Sequence, residues 1–169
     1  ADSGTFDYFT EAVVGKSKSS RGDFTASEDD NVLVQGVARD VNALGYFGFA
    51  YYVENKDKLK AVAIVEKPGK PAVEPSLEAV IKGTYQPLAR PIFIYVSAKA
   101  LSKPEVKAFV QYYMTQGAKL SREVKYVPLP DSAYKTAWEH VLKMKKGTVF
   151  GGVAEVGITI EELLRREAK

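Results

Sequence analysis

An α/β fold is what this sequence predicts, on three observations. Apolar or aromatic β-prone runs at 42–53, 59–65 and 92–96 read as strands. Segments opened by capping residues, with apolar side chains at helical spacing, alternate with those runs. Alternation of this kind along one chain is the pattern of α/β packing. Neither an internal repeat nor a low-complexity tract interrupts it.

The elements follow in order. A turn at the start leads into a helix over 5–14, in which Phe6, Phe9 and Val13 share one face. Ser3 and Thr5 are good N-cap types, Asp7 suits the first turn, and Gly15 ends the segment. A polar loop spans 16–25. The capping residues of 27–31 then open a second helix into Val32, Leu33, Val34 and Val37. The run 42–53 predicts a buried strand that turns into a helix near Ala50, and 59–65 predicts another strand. Three prolines and a glycine make 67–75 a loop.

A short helix over 76–83 has Ser76 as its cap and Gly83 as its stop. Pro87-Leu-Ala-Arg-Pro91 reads as a crossover, and the continuous apolar run 92–96 as a strand buried on both faces. An amphipathic helix over 105–116 is entered through Pro104. A short extended piece at 126–130 leads to a helix over 131–145 capped by Asp131. A glycine-rich loop over 147–152 precedes a final charged helix over 159–167.

Bulk composition bounds the function classes. With 46% apolar and 27% charged residues, the 169-residue chain is globular rather than disordered. The net charge of +3, with lysine and arginine scattered, falls far short of a nucleic-acid footprint. No cysteine is present, so disulfides and cysteine-ligated zinc are excluded. No stretch approaches the ~20 apolar residues of a membrane-spanning helix. No signal peptide opens the sequence, so an exported protein would stand here in processed or truncated form.

Asp2-Ser3-Gly4-Thr5 carries the most chemistry. A helix start presents unpaired N–H groups and a partial positive charge. Glycine lets an oxyanion approach the backbone, and the two hydroxyls add donors. Asp2 can only accept hydrogen bonds. It would repel a fully ionised anion yet accept from one that still carries a proton, as monohydrogen phosphate does. That favours phosphate over sulfate, provided Asp2 and the donors face one ligand. A plain Ser/Thr helix cap with no ligand stays open on the tetrapeptide alone.

The runs 2–12, 20–31, 32–37 and 42–52 resemble the periplasmic phosphate-binding proteins of ABC phosphate transporters. So do Pro87-Leu-Ala-Arg-Pro-Ile-Phe-Ile-Tyr-Val96, Tyr126-Val-Pro-Leu-Pro130 and Gly147-Thr-Val-Phe-Gly-Gly152, in order along essentially the whole chain. The resemblance implies a periplasmic-binding-protein-like fold of type II, two-lobed and here incomplete. It places Ala1 mid-way through the second lobe. Residues 1–88 would be the remainder of that lobe, and 89–169 would return into the first.

What the resemblance implies for function is a non-enzymatic extracytoplasmic receptor for inorganic phosphate. Ser3, Gly4 and Thr5 would donate to the anion. A carboxylate of the opposite lobe usually accepts the phosphate proton, which leaves Asp2 secondary. Family sites often include an arginine a few residues before Ser-Gly-Thr, a position outside this sequence. Arg21 is the substitute on the page, since a guanidinium pairs well with a tetrahedral oxyanion. A solvated loop arginine is the equal alternative. The implied partners are phosphate, an ABC permease in the membrane, and a missing N-terminal portion or a complementing chain. No cofactor, metal or nucleic acid is implied. The implied location is periplasmic or extracytoplasmic, with any membrane anchor in the missing N-terminal part.

Other signals point elsewhere and are weaker. Gly15-Lys16-Ser17 mimics the end of a P-loop, but position 10 is threonine and a helix precedes it. His140, the single histidine, has no cysteine beside it and no evident Asp partner, and reads as a helix-surface residue. Glu28, Asp29 and Asp30 lack calcium-loop spacing and fit helix capping. The aromatics of 46–52 fit core packing better than base stacking. The competing function class is a phosphatase, or another phosphate-processing enzyme on a related scaffold.

Overall fold

A computed structural model describes residues 3–153 and 155–166. Among these described residues seven α-helices run in the order α1 (Gly4–Val14), α2 (Asp30–Arg39), α3 (Phe49–Glu54), α4 (Leu77–Ile81), α5 (Pro104–Glu123), α6 (Asp131–Leu142) and α7 (Ile160–Arg165). A 3-10 turn over Ala100–Ser102 leads into α5 and packs against it.

The helix starts follow from capping chemistry. Ser3, Asp29, Ser76 and Thr159 each accept a hydrogen bond from a backbone N–H of the turn they open. Gly15 closes α1 in the left-handed conformation, with φ of 78°, and its N–H meets the Glu11 carbonyl. Two helices differ from expectation. α5 continues past Gly117 to Glu123, because Ala118, Lys119 and Leu120 are strong helix formers. At α6 the cap position is Pro130 and no side chain caps the helix, so Asp131 is a first-turn carboxylate rather than the cap. α6 also stops at Leu142, two residues before Met144 turns to positive φ.

Gly117 serves packing. α5 and α6 lie against each other, and a Cβ on residue 117 would fall 2.7 Å from the Tyr134 ring. That ring is tethered, since the Tyr134 hydroxyl accepts from the Leu129 N–H at 3.4 Å. Alanine at 117 gains up to about 1 kcal/mol of helix propensity. Overlap with a held aromatic ring costs about 1–3 kcal/mol. Gly117→Ala is therefore expected to lower Tm by a few degrees, and a thermal melt at or above the wild-type midpoint would show that the ring yields.

The expected strands form no ladder among the described residues. One isolated bridge joins Ile64 to Val73, antiparallel, and 42–48 and 92–96 have no ladder partner there. Ile92 and Tyr95 are 69% and 84% exposed, contrary to the expectation of a run buried on both faces. The reason is physical: strand pairing is non-local, and no second strand lies alongside.

The buried apolar side chains, Val34, Ala79, Val110 and Ala133, are small and spread over four helices. The accessible surface is 11882 Å², against about 8,200 Å² for a compact monomer of this mass. The described helices thus do not close one common core. No described helix is long and apolar enough to cross a membrane.

Candidate anion site at the start of the first helix

The N-terminus of α1 is built by Ser3. Its backbone is extended, and its Oγ accepts from the Phe6 N–H at 3.3 Å while its carbonyl accepts from the Asp7 N–H at 3.0 Å. The hydroxyl proton of Ser3 is left free to donate. The N–H groups of Gly4 and Thr5 have no acceptor among the described residues, as the first turn of any helix requires of its ladder. Thr5 adds a second hydroxyl. Ser3 and Thr5 are half-buried and Gly4 is exposed, so this end of the helix faces open space.

Neighbouring segments fix the helix in place. Thr10, only 2% exposed, donates from Oγ1 to the Phe6 carbonyl and accepts from the Lys18 N–H, both at 2.8 Å. This folds the loop after α1 back along it. Phe6 stacks on Phe24 and Phe9 stacks on Tyr46, with centroids 5.7 and 3.8 Å apart. The aromatic face expected of α1 is thereby used, while Val13 stays exposed.

Tyr8 joins α1 to the crossover. Its hydroxyl donates to the Pro87 carbonyl at 2.6 Å and accepts from the Gly157 N–H at 3.4 Å. Burial pushes the phenol above its ordinary pKa, against smaller opposing effects of the Gly157 N–H and Arg90. The phenol stays protonated and able to donate. The peptide bond before Pro87 is cis.

Arg90, at the end of the crossover, lies over the Tyr8 ring with its guanidinium carbon 5.0 Å from the centroid. One of its terminal nitrogens occupies the notch left by Gly4, where a Cβ would come within 3.1 Å. Sequence reasoning passed over this arginine. Its only local signal is a charge set between prolines in a turn, and nothing in spacing links it to Gly4.

The expected site residues are not all brought together. Ser3, Gly4 and Thr5 share the helix start. Asp2 lies outside the described residues. Arg21 forks onto Asp23 through two hydrogen bonds of 2.7 and 2.5 Å, both side chains largely in solvent. No described contact joins Arg21 to the helix start. The Asp23 carboxylate is held below its ordinary pKa by this guanidinium. His140 is half-buried in the last turn of α6, and burial, Lys145 and Lys143 lower its pKa.

A family model described as a PBP superfamily domain matches residues 1–116. The chain belongs to the PBP superfamily, and its fold is periplasmic-binding-protein-like. It is 57% identical to Protein SphX of Synechococcus elongatus over 166 residues, covering 98% of this chain and 49% of that protein. It is 38% identical over 136 residues to Phosphate-binding protein PstS of Staphylococcus aureus, covering 79% of this chain and 39% of the relative. A crystal structure of a possible phosphate binding protein from Planctomyces limnophilus superposes with a TM-score of 0.68 at 45% identity, covering 86% of this chain and 52% of that one. The chain spans about half the length of the relatives it matches first.

Proposed function

We propose that this chain is part of an extracytoplasmic solute receptor that binds inorganic phosphate and delivers it to an ABC permease in the membrane. The observation that carries the reading is the start of α1, where two backbone N–H groups with no acceptor among the described residues and two hydroxyls sit on the consecutive residues Ser3, Gly4 and Thr5. Oriented amides and the helix dipole stabilise an oxyanion without a metal. The printed names of relatives that bind phosphate support the choice of anion.

In this reading Ser3, Gly4 and Thr5 hold the phosphate, and Asp2, in a secondary role, accepts a hydrogen bond from the proton that the anion retains. Arg21 joins only if its pair with Asp23 opens. Residues 1–88 form the lobe that carries this site, and 89–169 return into the other lobe. The receptor binds and releases its ligand unchanged. Release of phosphate from a phosphomonoester by the purified natural protein would replace this reading with that of an enzyme.

Removing a hydroxyl donor to an anion costs about 1.5–3 kcal/mol, or roughly tenfold to a hundredfold in affinity. Calorimetry on the natural, full-length protein is expected to show that loss in Thr5→Ala and in Ser3→Ala. Ser3→Ala should also lose about 1 kcal/mol of stability, because Ser3 is the cap. Unchanged affinity in both variants would remove phosphate from the start of α1.

A further inference from the structure

We propose that Arg90 is an anion-contacting residue of this site, presented by the crossover, and that Tyr8 is the positioning residue that holds it there. The proposal rests on the phosphate reading of α1 and adds to it a cation from a distant part of the chain.

The case starts from what an exposed arginine ordinarily does. It extends into water or forks onto a carboxylate, as Arg21 does with Asp23. Arg90 does neither. Among the described residues it forms no ion pair and donates no hydrogen bond. Glu155 lines the same open depression as Arg90, Tyr8 and Phe93, yet it is taken by Arg166 at 2.6 Å. No described carboxylate thus pairs with the positive charge of Arg90, which stands beside the helix end that most favours an anion.

Its geometry leaves the donors free. The guanidinium carbon lies over the Tyr8 ring, 5.0 Å from its centroid, a contact that uses up no N–H donor in a hydrogen bond. The N–H groups lie in the guanidinium plane and point outward from the edge. One terminal nitrogen already lies beside Gly4, 3.1 Å from where a Cβ would stand, so a side chain at this position would push the guanidinium aside by a few tenths of an ångström. The Tyr8 hydroxyl, by holding the Pro87 carbonyl at 2.6 Å, fixes the short segment that ends in Arg90. An oxyanion bound at Gly4 and Thr5 therefore meets a guanidinium on its flank, the fork geometry that suits a tetrahedral anion.

The test is phosphate calorimetry on the natural, full-length protein, with Thr5→Ala as the reference for the site. Arg90→Gln is expected to weaken binding roughly tenfold to a hundredfold. It should also flatten the salt dependence of affinity, which Thr5→Ala, removing no charge, does not. Arg90→Lys keeps the charge without the fork and should recover part of the loss. Tyr8→Leu should weaken binding less than Arg90→Gln, and adding it to Arg90→Gln should cost nothing further, since its effect runs through the arginine.

Wild-type affinity and salt dependence in Arg90→Gln, with Thr5→Ala weakened, would overturn this proposal and leave the α1 site standing. Wild-type protein that does not bind phosphate, or a Thr5→Ala variant that binds as tightly as wild type, would overturn both. Should Arg90→Gln fail to fold, Arg90→Lys decides: wild-type affinity in that variant sinks the role of the fork.

Discussion

On its own, the 169-residue chain is expected to bind phosphate at least about a hundredfold more weakly than the natural, full-length protein. The start of α1 is open: Gly4 and Arg90 are exposed, and Ser3 and Thr5 are only half-buried. Water competes for every donor in such a place. A hydrogen bond to a charged group is worth about 1.5–3 kcal/mol, and competition from water at an open helix end removes a large part of it. Two donors so weakened already account for a hundredfold, at 1.4 kcal/mol per factor of ten. The chain spans about half the length of the SphX relatives, so surfaces that would cover the anion lie within the other half in this reading. Titration of the purified chain decides the matter. A Kd of 1 μM or below would mean that the exposed helix end suffices.

The second large effect concerns association. Ile92, Phe93, Ile94 and Tyr95 form a β-prone, exposed run with no ladder partner among the described residues. Phe109 and Tyr112 expose an aromatic face on α5, at 64% and 55%. An open strand edge beside apolar surface is a template for pairing with another chain. The purified 169-residue chain is expected to self-associate in sedimentation experiments and to bind an apolar dye. Ile94→Lys and Tyr95→Lys, which place a charge on that edge, should raise the dissociation constant of the associated form at least about tenfold. A chain that stays monomeric at every concentration, leaves the dye unbound and melts cooperatively would show that the helices close over these surfaces.

How far the sequence could be read follows the range of the interactions. Caps are local, so Ser3, Asp29, Ser76 and Thr159 were legible as helix starts from residue type alone. The hydroxyls and glycine of the anion site were legible for the same reason, because they sit on consecutive residues. The far end of α5 was not. A glycine reads as a stop by propensity, whereas Gly117 is there to admit the Tyr134 ring, which only the packed helices reveal. Non-glycine residues with positive φ, such as Lys18 and Met144, carry no local signal either. Strand pairing depends on neighbours that a single run does not contain, so 92–96 could be recognised as β-prone but not placed. Arg90 belongs with these: its partners, Tyr8 and Gly4, lie on the other side of most of the α1–α4 region.

The two hydrogen bonds of the Tyr8 hydroxyl span 79 and 149 residues of chain. Contacts that close rings of that size must first overcome the entropy of bringing distant segments together, and they form late in folding. The cap of α1, by contrast, spans three residues. The anion end of this helix is therefore assembled in two stages. A chain emerging during synthesis carries the Ser-Gly-Thr turn early, and it gains the flanking guanidinium only after the crossover and the Gly157 turn have been made.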